Sequence, residues 1–222
     1  MLWSEKILDL FKHLKIPATL PPGVVILNPY KEEEIFTLCE KFYRQYYYDN
    51  NNRVLIVGIN PGRFGGGLTG IPFTDPIKLE TICNIPNDLK KKSELSSDFI
   101  YQVIESLGGV KIFYSKFYFS SVSPLGYTWN GKNLNYYDIP ELQSALIPFI
   151  KNCLMEQINF GLSKEFCFVL GEGKNYSFMC NLNQETKLFN KLIPLPHPRF
   201  IMQYKRKKLN QFIQKYKNAL SI

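Results

Sequence analysis

Four short, almost uninterrupted apolar runs constrain this chain more than any other feature: Val54–Ile59 (VLIVGI), Phe117–Val122 (FYFSSV), Phe166–Leu170 (FCFVL) and Leu192–Leu195. Alternating polarity marks a strand with one wet face, whereas continuous apolarity marks a strand covered on both. Helical patterns lie between these runs. Ser96 or Ser97 is placed to cap a helix through Asp98–Leu107, which Gly108-Gly109 then stops. Pro140 sits where a helix begins, and Glu141–Ile158 follows with apolar residues at helical spacing. A short helix is expected after Gly173. A last one runs from about Arg199 to Leu220, with Leu209, Phe212, Ile213, Tyr216 and Leu220 on one stripe. This β-α-β-α order predicts an α/β fold, a three-layer α/β/α sandwich around a central four-stranded, mainly parallel sheet with right-handed crossovers.

The 222 residues contain no internal repeat and no Gly/Ser-rich linker, so residues 1–222 read as one domain. The first fifty form a helical region packed on it. With 45% apolar and 21% charged residues the chain is neither disordered nor a coiled coil. No apolar run approaches the roughly 18 residues that span a bilayer. The N-terminal MLWSEKILDLFKHLKIP carries Glu5 and Asp9 inside its apolar stretch and reads as an amphipathic helix, not a signal peptide. Cys39, Cys83, Cys153, Cys167 and Cys180 are odd in number and widely spaced. That pattern argues against a disulfide framework, a zinc site or an iron–sulfur cluster, and fits buried small hydrophobes. A soluble, cytoplasmic, monomeric protein without cofactor or metal is expected.

The net charge of +8 is unevenly placed. From His197 to Ile222 the chain holds seven basic residues, Arg199, Lys205, Arg206, Lys207, Lys208, Lys215 and Lys217, and no acidic one. Charge alone leaves two readings open: a polyanionic partner such as nucleic acid, or a solvated helix face.

In open α/β sheets ligands bind beyond the carboxyl ends of the strands. Asn60–Phe73, Ser120–Gly126 and Pro196–Arg199 follow the first, second and fourth apolar runs, so they would converge in space. The first reads Gly58-Ile-Asn-Pro-Gly-Arg-Phe and continues through Gly65, Gly67 and Gly70. It formally matches a dinucleotide fingerprint, but Pro72 and Pro76 follow where that fingerprint needs a helix, and no Gly-Lys-Ser/Thr closes a P-loop. What remains is a glycine-rich loop whose backbone can approach a ligand closely. It carries the amide of Asn60 at the strand end, and Phe73, which is either a stacking surface or a core residue. His197 is held between Pro196 and Pro198, which restrict its backbone and aim the imidazole. His13, the other histidine, falls at the surface or edge of the first helix. Tyr46-Tyr47-Tyr48 fits packing against the sheet better than base stacking.

Gly-Ile-Asn-Pro-Gly, Leu-Thr-Gly-Ile-Pro-Phe, Ser-Pro-Leu-Gly and His-Pro-Arg, in this order from Val54 to the C-terminus, resemble the uracil-DNA glycosylase superfamily. The nearest likeness is to the single-strand-selective monofunctional branch, in particular its bacterial second subgroup. Gly131-x-Asn133 and Pro140-Glu141-Leu142 loosely echo the same branch. The resemblance implies that Asn60 positions the water attacking the deoxyribose C1′ and that His197 donates a hydrogen bond to the uracil O2. It puts Phe73 against the extruded base. Gly58, Ile59, Pro61, Gly62, Phe64 and Ser121 would join it in substrate binding. Arg63, Arg199, Phe200, Lys205, Arg206, Lys207 and Lys208 would face DNA, single-stranded or duplex with a flipped base. No metal or cofactor is implied, free uracil is the product, and no lysine is placed for lyase chemistry.

Two positions depart from the branch. Ser121 stands where the relatives carry an Asn that reads the uracil edge, which suggests acceptance of hypoxanthine or xanthine. His-Pro-Arg-Phe replaces a longer His-Pro-Ser-Pro-Arg-Asn, leaving Arg199 and Phe200 as candidates for the strand-separating wedge. Two other classes compete: a nucleic-acid-binding module that lost the chemistry, and a nucleotide-handling α/β enzyme of small molecules. The first has no use for both Asn60 and His197, and the second leaves the basic C-terminal segment unexplained.

Overall fold

A computed structural model describes residues 1–16 and 19–222. Pro17, the last residue of the N-terminal segment read as a helix, and Ala18 lie outside the described residues. In chain order the elements are α1 (Trp3–Lys12), β1 (Val24–Leu27), α2 (Glu33–Tyr46), β2 (Arg53–Gly58), α3 (Gly66–Thr69), α4 (Pro76–Thr81), α5 (Leu95–Ser106), α6 (Val110–Lys116), β3 (Phe117–Ser121), β4 (Gly126–Trp129), β5 (Lys132–Leu134), α7 (Pro140–Ile158), β6 (Leu162–Leu170), α8 (Lys174–Thr186), β7 (Lys191–Leu195), α9 (Pro198–Tyr204) and α10 (Leu209–Leu220). Two 3₁₀ turns, Pro29–Lys31 and Arg206–Lys208, complete the inventory.

The four apolar runs become one sheet in the order β3-β2-β6-β7, with every neighbouring pair parallel. All five residues of β3 are buried, as two-sided cover requires. β6 starts earlier than its apolar run because Leu162–Glu165 extends past that cover, and Lys164 and Glu165 are exposed. Helices flank the sheet, and one continuous hydrophobic core joins the two.

The N-terminal region is bolted on by a buried charge. Arg53, fully buried at the start of β2, donates to both carboxylate oxygens of Asp49 (2.7 and 2.8 Å) and to the Tyr114 carbonyl (2.7 Å). Its guanidinium lies over the rings of Trp3 and Tyr47, 5.2 and 4.7 Å from their centroids. Tyr46 and Tyr47 are buried and Tyr48 is exposed, so this triplet is chiefly packing.

Three features differ from the sequence reading. A second, antiparallel sheet, β1-β4-β5, is absent from it: its strands are only three or four residues long, β4 and β5 are of mixed polarity, and the apolar VVIL of β1 is too short to stand out, with Val25 exposed. The N-cap position of α5 is Glu94, whose side chain makes no capping hydrogen bond, and Ser96 and Ser97 fall inside the first turn. Glu94 is held extended there because its N–H donates to the Asp75 carboxylate (3.1 Å). The last helix is not continuous: it breaks at Lys205 into α9 and α10. The break lets α10 fold back, so that Tyr216 packs edge-on against Phe99 (4.9 Å) and its hydroxyl donates to the Pro196 carbonyl.

Candidate active site

The carboxyl ends of β2, β3 and β7 enclose a narrow cleft of about 40 Å³, lined by Asn60, Gly62, Phe73, Glu94, Ser96, Ser121 and His197 among others. The three segments expected to converge do so. Gly58 pairs with Ser121, and the N–H groups of Val122 and Ser123 donate to the carbonyls of Gly58 and Ile59, both at 3.1 Å. Phe73 and His197 bring the other ends together, with ring centroids 6.3 Å apart.

Asn60 is oriented without ambiguity. Its Nδ2 donates to the carbonyls of Leu134 (3.1 Å) and Pro61 (3.4 Å), and its Oδ1 accepts the Tyr136 N–H (3.0 Å). One lone pair of Oδ1 stays available for a further donor. The small sheet earns its place here, since the exit of β5 supplies Leu134 and Tyr136. Tyr136 is itself anchored, its hydroxyl donating to Asn175 Oδ1 (2.9 Å), while Asn175 Nδ2 donates to the carbonyls ending β6 and β2, Leu170 (2.9 Å) and Gly58 (3.4 Å).

Phe73 sits at φ +54°, a left-handed conformation that costs an L-residue about 1–2 kcal/mol. The strained backbone presses the ring onto the strand end: a Cβ at Gly58 would lie 2.6 Å from Phe73 Cζ. Its outer edge packs on Phe119 at 5.1 Å.

His197 caps α9, and its Nδ1 accepts the N–H of Arg199 at 3.2 Å. Nδ1 therefore carries no proton, and the proton of the neutral ring resides on Nε2. Burial, seconded by the Arg199 charge, lowers the imidazole pKa from 6.5 to about 4.

Other expected residues lie around this centre. Ile59, Pro61 and Gly62 line it, and Gly58 lies against the Phe73 ring and does not itself line the cleft. Phe64 is not among the residues lining the cleft, and its ring is covered by the Arg63 guanidinium (4.4 Å) and the Lys92 ammonium (3.6 Å). Arg63 is exposed, its N–H donating to Asn133 Oδ1 (3.1 Å) and its guanidinium to the Gly131 carbonyl. The Gly131-x-Asn133 echo thereby holds the loop that follows Asn60. Arg199, Phe200 and Lys205–Lys208 are exposed, the last four on a turn and not on a helix. Phe200 and Tyr204 form an exposed aromatic pair (5.7 Å) beside them.

As site residues Glu94 and Tyr136 are missed by the sequence reading, and Ser96 is read there only as a helix cap. Glu94 stands in a polar stretch without motif. Its carboxyl is pushed up to about 7 by burial and by Asp75 and Asp98, with Arg199 opposing. Among the described residues no cluster of three or more His, Cys, Asp or Glu is arranged to hold a metal ion.

Residues 45–221 match the Uracil DNA glycosylase superfamily. The crystal structure of wild-type SMUG2 from Pedobacter heparinus is similar to this chain at a TM-score of 0.96 and 46% identity, over 99% of this chain and 97% of that one. No curated protein matches. The match to SMUG2 bears out the likeness to the single-strand-selective monofunctional branch, and the family implies a DNA substrate. Signature segments, sheet order and whole-chain similarity agree: the chain belongs to the uracil-DNA glycosylase superfamily, the glycosidic hydrolases of base-excision DNA repair.

Proposed function

We propose that this protein is a monofunctional DNA glycosylase that removes uracil, and, because Ser121 replaces an edge-reading Asn, hypoxanthine and xanthine as well. It extrudes the base from the strand to reach it. In this reading the Oδ1 of Asn60 accepts from a water poised under C1′, and the ring of Phe73 stacks on the base. His197 Nε2–H donates to a base carbonyl as negative charge develops there. The water oxygen bonds to C1′, the C1′–N bond breaks with its electrons leaving on the base, and the water proton ends on the released base. Arg63, Arg199, Phe200 and Lys205–Lys208 meet the strand, a set of exposed charges that supports salt-dependent binding. Five unpaired thiols support a reducing, cytoplasmic setting, and one chain suffices for the reaction.

The observation carrying this reading is the Arg199 N–H on His197 Nδ1, which fixes the donor proton on Nε2. The test is alkali-revealed scission of a labelled single-stranded or duplex oligonucleotide containing one uracil. Asn60→Ala is expected to abolish turnover while leaving DNA affinity within about twofold. If uracil, hypoxanthine and xanthine all survive the wild-type protein while DNA binding persists, the chain is a binding module instead.

A further inference from the structure

The reaction just described uses Asn60, Phe73 and His197 and leaves one ionisable wall of the cleft without a task. Glu94 enters beside them from the N-terminus of α5. Its backbone is fixed by the Asp75 carboxylate, so the side chain is delivered to a set place. Two glycines make room for it. A Cβ at Gly65 would lie 2.0 Å from Glu94 Oε2, and one at Gly62 would lie 3.5 Å from Oε1. The carboxyl thus lines the inner wall of the loop that carries Asn60.

No hydrogen bond reaches its oxygens among the described residues; burial and charges alone set its protonation. The nearby lysines are engaged elsewhere: Lys78 pairs with Asp98 (2.7 Å) and Asp75 (4.0 Å), Lys91 with Glu80 (2.7 Å), and the Lys92 ammonium lies over the Phe64 ring. The charged and titratable groups around Glu94 are therefore Asp75 on α4, Asp98 with Lys78, and Arg199 and His197 at the start of α9. The acids and burial outweigh Arg199, which holds the group near neutrality at about 7. A half-buried, unpartnered acid is costly in a purely structural role and is common where a site awaits a ligand.

We propose that Glu94 is a base-recognition residue, donating the O–H of its neutral carboxylic acid to a carbonyl oxygen of the extruded base. The proposal rests on the glycosylase reading above. Uracil, hypoxanthine and xanthine share a lactam, an N–H beside a C=O. A carboxylic acid offers the complement, an O–H beside a C=O, which neither the short hydroxyl of Ser121 nor the single donor of His197 supplies. The same complement accounts for one pocket serving pyrimidine and purine lactams. Phosphates of a bound strand add negative potential and favour the neutral acid further.

The test is single-turnover excision of uracil from single-stranded DNA at saturating enzyme, from about pH 6 to pH 9, comparing wild type, Glu94→Gln and Glu94→Ala. Gln keeps the shape and an N–H donor but does not ionise. Wild-type rate is expected to fall at least about tenfold as pH rises above neutrality. Glu94→Gln should stay within about threefold of the wild-type rate at pH 6 and lose that fall. Glu94→Ala should be slower than wild type by about tenfold to hundredfold at pH 6, the loss of one hydrogen bond, and the two rates should converge as the wild-type carboxyl ionises. DNA affinity measured in parallel isolates simple repulsion of phosphate, which would alter binding and leave the saturated rate unchanged. Glu94→Gln decides the matter should Glu94→Ala unfold. An unchanged rate in both variants, or a Gln variant that keeps the wild-type pH dependence, overturns the role of Glu94 alone. Failure of the wild type on all three bases overturns the glycosylase reading with it.

Discussion

Removing the proton acceptor of His197 from acid titration is a testable consequence of how α9 begins. A free imidazole titrates at 6.5, but burial and the adjacent Arg199 hold this one at about 4. Protonation would also place a hydrogen on Nδ1 facing the Arg199 N–H, turning a 3.2 Å hydrogen bond into a clash of donors. The ring should stay neutral, with Nε2–H as its only donor, throughout the range in which the protein works. Holding the imidazole at about 4 instead of 6.5 is worth about 3 kcal/mol at most. Its sign is fixed by linkage. The unfolded chain takes up this proton below 6.5 and the folded chain does not, so stability falls as pH drops from about 6.5 to about 4 and levels off below. Only two histidines are present, so the imidazole proton resonances resolve them directly. His197 should show no titration between about pH 5 and pH 8, and single-turnover excision should have no acid limb near 6.5. His197→Ala should lose about hundredfold to thousandfold in rate, as removal of a donor to developing negative charge does. The urea midpoint of wild type should drop more than that of His197→Gln between about pH 7 and pH 4.5. An acid limb near 6.5 that vanishes in His197→Gln would refute the neutral-donor assignment.

Gly58→Ala should drive its new methyl into the Phe73 ring, 2.6 Å from Cζ, destabilising the fold by about 1–3 kcal/mol and slowing excision, read by urea unfolding and single-turnover rates. Turnover equal to wild type would show that the ring is not held by Gly58. Arg53→Ala strips the partner from Asp49 and from the Tyr114 carbonyl, and a loss of about 3 kcal/mol is expected from chemical denaturation. A loss below about 1 kcal/mol would mean that water replaces the guanidinium freely. Changing Lys205, Arg206, Lys207 and Lys208 together to Ala should weaken binding to all single strands alike. It should also flatten the log–log salt slope by up to about 3, at roughly 0.7 per phosphate contact. An unchanged slope would place the strand elsewhere on the surface.

The main sheet was legible because each of its strands is covered on both faces, and that leaves a local mark: an unbroken apolar run. Asn60 and His197 were legible for a similar reason. Each sits where a proline-bounded segment leaves a strand, so rigidity and position are written within a few residues. What escaped the sequence depends on partners far along the chain. β1, β4 and β5 are too short to carry a pattern, and they stand only because they pair with one another. The break between α9 and α10 leaves the apolar stripe intact, since Tyr216 and Leu220 are buried all the same, so periodicity could not report it. The glycine loop shows the limit most sharply. Its glycines suggest close approach of a ligand, yet at Gly65 the approaching group is the Glu94 carboxyl, and at Gly67 it is the Gly62 carbonyl, 2.6 Å from where a Cβ would stand. Missing side chains declare that something comes close without declaring what. A glycine-rich loop is therefore as much a socket for the protein's own distant acid as for a ligand. In this fold the two readings meet, because the acid it admits faces the same cleft as Asn60 and His197.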